Sequence, residues 1–232
     1  MTIAWSYSRL QTYQACPRQF KFSYVDKVPR EEGPALKRGQ DRHELLEKHV
    51  KGERVRFPKD LARIRPELDK IRKLGARAEL ELAFTAKWDP TGWFDKDAWL
   101  RIKIDLQYRQ ATDPTALRVC DYKTGRIRPE QHEEQLRLYG LATMMTEPKA
   151  SSVTTEVWYV DHEPAPRPLA TQIAPNFQKA IREQRTYWER KVRPLLKDKR
   201  FTPTPGHACG WCPYSWRKRL PDGSPGPCKD GV

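Results

Sequence analysis

Between Ser8 and Tyr24 the apolar residues Leu10, Tyr13, Phe20 and Tyr24 recur at helical spacing, with Pro17 starting a fresh turn or kinking the segment beside Cys16. A second helix is predicted over Leu36 to Val50, with His43, Leu46 and Val50 on one apolar face. Leu61, Ile64, Leu68, Ile71 and Leu74 form the clearest amphipathic stripe and predict a third, structural helix. The period then changes to two. Ala78, Leu80, Leu82, Phe84 and Ala86 alternate with Glu79, Glu81, Thr85 and Lys87, the pattern of a half-buried strand. After a turn containing Gly92, Leu100, Ile102, Ile104, Leu106 and Tyr108 repeat it, which puts Arg101, Lys103, Asp105 and Gln107 on the opposite face.

A third strand follows over Ala116 to Tyr122, then a helix from Pro129 through Met145 with Glu130, Glu133 and Glu134 in its first turn, where carboxylates suit the helix dipole. Val153 to Val160 predicts a fourth strand and Asn176 to Leu196 a long last helix. Beyond it, prolines and glycines from Pro203 to Pro227 exclude regular structure. Helices, three strands, helix, strand and helix make an α/β (α+β) protein whose mixed central sheet is flanked by helices. With no linker in view, the reading is one domain over residues 1–232: an N-terminal helical segment (1–35), a core (36–200) and a cysteine-rich tail (201–232).

Composition narrows the function classes. Lys and Arg number 44 against 30 Asp and Glu, a net charge of +14, which favours a polyanionic partner and makes nucleic acid the leading class. No apolar run approaches the roughly 18 residues of a membrane span. The opening Met1-Thr2-Ile3-Ala4-Trp5-Ser6 lacks the pattern of a secretory signal, so a reducing cytoplasm is expected. There the five cysteines are better metal ligands than disulfide partners. No P-loop is present, so ATP-driven unwinding would have to come from another protein.

Asp121 and Lys123 are two apart on one strand and share a face, and Asp105 lies on the neighbouring strand. Such carboxylates supply hard oxygen ligands for Mg²⁺ or Mn²⁺, and a nearby ammonium can orient water and balance phosphate charge. A lone D-x-K tripeptide is more often a salt-bridged strand surface. Here it has company. Gly39 to His43 read as G-x-x-x-H on a helix, Ile102 to Asp105 bring an aspartate onto a strand, Asp121-Tyr122-Lys123 is D-x-K, and Gln135 to Tyr139 read as Q-x-x-x-Y on the next helix. In that order these motifs resemble the RecB-like PD-(D/E)xK nucleases, from Tyr7 to Cys228, with Ile102 standing where the family has a glycine.

The resemblance implies a restriction-endonuclease-like core and a metal-dependent deoxyribonuclease that acts on single-stranded or end-accessible DNA, as an exonuclease. It makes Asp105 and Asp121 metal carboxylates, the Tyr122 carbonyl a further ligand and His43 an imidazole ligand that favours Mn²⁺. Lys123 would position or activate the water, and Gln135 and Tyr139 would steady Lys123 or the DNA backbone. The family often carries one more acidic residue on the first strand, and both Glu79 and Glu81 are candidates. Cys16, Cys209, Cys212 and Cys228 resemble the iron–sulfur subgroup, with its AddB-type and CRISPR-associated exonucleases, in which one early cysteine joins three late ones around a 4Fe–4S cluster; zinc accepts the same thiolates. Fifteen residues separate Cys212 from Cys228, more than is usual there. Cys120 is expected to be a buried free thiol. The size suits a stand-alone phage or prokaryotic recombination or repair nuclease, with a helicase or recombination protein as possible partner.

Two other readings stand beside this one: a non-cleaving single-stranded DNA-binding protein of the same fold, and a nuclease acting on RNA. The last helix and tail also interleave Arg190, Lys191, Arg193, Lys197, Lys199, Arg200, Arg217, Lys218 and Arg219 with Trp188, Trp211, Tyr214 and Trp216. This pattern reads equally as a track for a single strand or as a basic face whose rings pack around a metal centre.

Overall fold

The computed structural model describes residues 3–162, 169–173 and 177–230. They form two compact units, Ala35–Tyr187 and a discontinuous one of Met1–Pro34 with Trp188–Val232. Among the described residues no helix is long and apolar enough to cross a membrane.

The unit Ala35–Tyr187 is built on a six-stranded mixed sheet of order β2-β1-β3-β4-β5-β6. Its strands are β1 (Arg77–Phe84), β2 (Pro90–Thr91), β3 (Leu100–Arg109), β4 (Ala116–Lys123), β5 (Ser152–Tyr159) and β6 (Leu169–Ile173). All neighbours are antiparallel except β4 and β5, which run parallel from Ala116↔Ser152 to Lys123↔Tyr159. A parallel pair needs a long crossover, and α5 (Glu133–Thr146) supplies it. The four strands predicted from alternation are present; the short edge strands β2 and β6 lack a pattern long enough to be read.

Two helices cover one sheet face. These are α3 (Pro34–Val50), whose first residue belongs to the other unit, and α4 (Arg65–Arg72). Leu46, Val50, Leu61, Ile64, Leu68 and Ile71 pack there with Leu106, Tyr108, Cys120, Tyr122 and Trp158. The predicted stripe is thus buried from Leu61 to Ile71 and partly buried at Leu74, and its helix is shorter than expected: Ala62–Ile64 is a 3₁₀ turn, Pro66 starts α4 and Leu74 lies beyond its end. On the other face α5 buries Leu136 against Val157 and Tyr159. That face carries Asp105, Gln107 and Asp121, all three buried.

In the discontinuous unit, α1 (Tyr7–Ala15) is capped by the Ser6 hydroxyl and ends at Cys16, whose extended backbone precedes α2 (Pro17–Phe20). Pro17 is the cause, as it lacks the N–H that would continue the first helix. A π-helical turn, Lys21–Val25, follows. The last helix, α6, is Phe177–Lys197, of which the residues from Trp188 onward belong to this unit; Asn176, the predicted start, lies outside the described residues. Trp188 at its middle is fully buried and stacks on Trp5 at 5.8 Å between ring centroids.

Candidate active site and cysteine cluster

Asp121 and Lys123 leave β4 on the face covered by α5, and their side chains meet: Nζ lies 2.6 Å from Oδ2 of Asp121. The other oxygen, Oδ1, accepts a hydrogen bond from Nε2 of Gln135 at 2.8 Å. The same amide nitrogen donates to the Tyr139 hydroxyl, also at 2.8 Å, so the two residues of the Q-x-x-x-Y motif act together on one carboxylate. Burial, reinforced by the charge of Asp121, keeps the Tyr139 phenol far above its ordinary pKa and therefore neutral. Burial likewise pushes the Asp121 carboxyl up, and Asp105 adds to the rise while Lys123 opposes it. For Lys123 burial works downward and is the largest single influence, but the charge and hydrogen bond of Asp121 together with the charge of Asp105 outweigh it and hold the ammonium above its ordinary range.

Asp105 faces this pair from β3. Its Oδ2 accepts the Tyr122 backbone N–H at 2.7 Å, which ties it to the neighbouring strand. Its Oδ1 lies 3.2 Å from Nδ1 of His43, whose Nε2 is 3.0 Å from the Tyr122 carbonyl oxygen. Burial would lower the His43 pKa, yet the hydrogen bond to Asp105 and the charges of Asp105 and Asp121 raise it overall. All six residues expected from the motifs thus converge, together with the Tyr122 carbonyl.

The structure places Glu79 rather than Glu81 at this site. In the β1–β3 ladder Ala78 faces Leu106 and Leu80 faces Ile104, while the intervening Glu79 has φ +53° and drops out of the pairing opposite Asp105. A non-glycine residue in the left-handed region costs on the order of 1–3 kcal/mol, and such strain gathers at functional sites. Donor atoms of Glu79, His43 and Asp105 lie within 4.8 Å of one another, the one such group among the described residues. Burial raises the Glu79 pKa, against an ion pair with Lys103. Glu81, directly across from Lys103, is exposed. Glu79, His43 and Asp105 line a cleft of about 550 Å³ with Gly39, Glu47 and Lys103. Carboxylates and an imidazole suit a hard or borderline divalent cation, so the residues fit Mg²⁺ or Mn²⁺.

Sequence reading missed a brace behind the site. Gly125 turns the chain after Lys123 at φ +82°, and its N–H donates to Oδ2 of Asp161 at 2.7 Å. Oδ1 of Asp161 is 2.6 Å from the buried Arg42 guanidinium and 3.3 Å from that of Arg38. The 2.6 Å contact is charge against charge, without good hydrogen-bond alignment. Arg42 also pairs with Asp60. Asp161 lies just beyond β5, where no spacing marks it. His132, the residue before α5, is half-buried 5.8 Å from the Tyr159 ring; burial and the charge of Lys123 depress its pKa to about 4.

In the discontinuous unit Cys16, Cys209, Cys212 and Cys228 line one cavity. Cys228 joins the others despite its long spacing because its backbone is pinned, N–H to Tyr214 O and carbonyl to Trp216 N, both at 2.9 Å. Sulfurs of Cys16 and Cys209 accept N–H groups of Thr204 and Gly206 at 3.5 and 3.4 Å. Burial raises the Cys212 thiol pKa, and the other three cysteines add to the rise. All five cysteines are free thiols, and four thiolates around one cavity fit a metal centre. Cys120 is apart from them, buried with its Sγ 3.4 Å from Glu156.

Among solved structures the chain is similar to a "Putative exonuclease" from Eubacterium rectale, at 12% identity and TM-score 0.45, covering 82% of this chain and 80% of that one. It is also similar to the protein SSO0001, at 15% identity and TM-score 0.38, over 91% and 84% of the two chains. No curated protein matches it. The sequence profile of the PD-(D/E)XK nuclease superfamily matches residues 4–217, nearly the whole chain, and with the mixed sheet and its converging site residues this makes the protein a member of that superfamily.

Proposed function

We propose that this nuclease hydrolyses DNA with Mg²⁺ or Mn²⁺, acting from strand ends on single-stranded or end-accessible substrate. One observation carries the reading: His43, Asp105 and the Asp121–Lys123 pair, from three separate segments of the chain, meet at one place, with the Asp105 carboxylate against His43 and the Asp121 carboxylate against the Lys123 ammonium. His43, Asp105, Asp121 and the Tyr122 carbonyl would hold the cation, and Glu79 would complete the set. When bound, such a cation polarises the phosphate and stabilises developing negative charge.

The chain's own residues supply the rest. Lys123 is held as an ammonium by its acidic neighbours, so it would position the attacking water by hydrogen bonding and offset phosphate charge. Gln135 and Tyr139 hold Asp121 so that it cannot turn away. The exonuclease preference rests on the family resemblance. For the cysteines we favour an iron–sulfur cluster, because one early cysteine joined by three late ones is the arrangement of the iron–sulfur subgroup that the sequence resembles; zinc accepts the same thiolates.

The test is to incubate the protein with end-labelled linear and with circular single-stranded DNA plus Mn²⁺. Linear DNA should be degraded and circular DNA spared, and chelation should stop the reaction. Lys123→Ala should abolish cleavage; wild-type activity in that variant would overturn the site, and rapid loss of circles would overturn the end requirement.

A further inference from the structure

The tail carries rings that its own packing does not use. Of the four aromatic residues interleaved with its basic side chains, Trp188 and Tyr214 are core: they are 0% and 1% exposed, and Tyr214 packs against Phe22 at 5.6 Å between centroids. Trp211 and Trp216 are 85% and 49% exposed. A large indole left in water is a cost that a ligand can remove. From this contrast we infer that Trp211 and Trp216 form a base-stacking platform for single-stranded DNA, a proposal that rests on the DNA-hydrolase reading above.

Three features point to that occupant. First, residues 199–230 hold six Lys and Arg against two Asp and no Glu, so the rings sit in a field that attracts a polyanion. Second, Arg217, Lys218 and Arg219 come directly after Trp216 and are exposed, and the Arg217 guanidinium lies 5.5 Å from the centre of the Trp216 ring. Cations beside an exposed ring are what simultaneous phosphate neutralisation and base stacking require.

Third, the backbone beneath the rings is fixed. Trp216 N–H bonds the Cys228 carbonyl at 2.9 Å, Gly226 N–H bonds Lys218 O at 3.0 Å, and Arg219 bridges Pro225. Gly226 is buried so tightly that an added Cβ would fall inside contact distance of the Ser215 and Tyr214 carbonyls. Trp211 closes the 3₁₀ turn that carries Cys209, its N–H on Ala208 O at 3.2 Å. Rings displayed on such a frame lose little freedom when a base stacks on them.

Binding of labelled oligo(dT), and of an abasic strand of equal length, can be followed by fluorescence anisotropy in EDTA, so that no strand is cut. Trp211→Ala should weaken oligo(dT) binding by roughly tenfold, leave the abasic strand unaffected, and be largely rescued by Trp211→Phe. Trp216→Ala should act in the same direction. Equal oligo(dT) affinity in Trp211→Ala and wild type would overturn the proposal, leaving these rings to a protein partner. So would an equal loss on both strands, the mark of a damaged tail. If the wild type meanwhile degrades DNA, the nuclease reading stands without the platform; if it neither binds nor cuts DNA, both fall.

Discussion

Replacing Asp161 by Asn removes one negative charge from the brace behind the site while keeping a side-chain oxygen for the Gly125 N–H. The variant therefore tests the charge that Asp161 presents to the buried Arg42 and to the more exposed Arg38. Both side chains are about nine-tenths buried, and removing one partner of a buried pair typically costs about 3–5 kcal/mol because the other charge is stranded. Arg42 keeps Asp60, but that carboxylate is 54% exposed, and a screened pair returns at most about 1 kcal/mol. A net loss of about 2–4 kcal/mol is expected, a fall in melting temperature of roughly 5–12 °C for a unit of this size. Arg42→Met alone should also destabilise, whereas the double variant strands no charge and should recover about 1.5–3 kcal/mol relative to the sum of the two single changes. Urea melts followed by circular dichroism provide the four stabilities. If Asp161→Asn costs under about 0.5 kcal/mol, or the two changes add within that margin, the residues are not a coupled brace and the account of the turn after Lys123 is wrong.

Glu79→Gln should weaken Mn²⁺ binding by calorimetry about tenfold or more, while Glu81→Gln leaves it unchanged; equal effects would remove Glu79 from the ligand set. Cys16→Ala or Cys209→Ala should each lose the roughly four irons per chain expected of anaerobically purified wild type and open the tail to protease, whereas Cys120→Ala keeps its iron; one zinc and no iron in the wild type would replace the cluster but keep the clasp. His132 is depressed to about 4 in the folded protein against an ordinary 6.5, so between these values the unfolded chain binds more protons. That contribution to stability is complete above about pH 6.5 and is lost as pH falls towards about 4. His132→Asn should flatten this part of the acid-unfolding curve, and an unchanged slope would show that His132 does not contribute.

Regular alternation and helical stripes made the central strands and the buried side of α3 and α4 legible, because each residue there follows the period of its element. The site was legible where chemistry is compressed into short motifs, as at Gly39 to His43, Asp121 to Lys123 and Gln135 to Tyr139. Glu79 was not separable from Glu81, since the choice depends on one backbone torsion opposite Asp105 that alternation cannot foretell. Asp161 and Arg42 were invisible for another reason. Their partnership joins distant segments, and neither lies in a pattern with a period. The discontinuous unit was legible only through its cysteines, and the sequence alone treats its two segments as separate ends of one domain.

A unit assembled from both ends of a chain is completed late during synthesis. Residues Ala35–Tyr187 form a continuous stretch and can fold while the ribosome is still adding the second half of α6 and the tail. As a ligand of the proposed cluster, Cys16 would emerge early and wait for Cys209, Cys212 and Cys228, a delay of roughly ten to forty seconds at about 5–20 residues per second. During that interval its thiol is exposed to oxidants and to stray metal ions, and Phe20 and Phe22, buried in the finished protein, have no permanent cover. With the proposed cluster, slowing translation or withholding iron would thus harm this nascent chain more than one whose ligands are made together, and newly made protein would accumulate with its sheet complete and the discontinuous unit still loose.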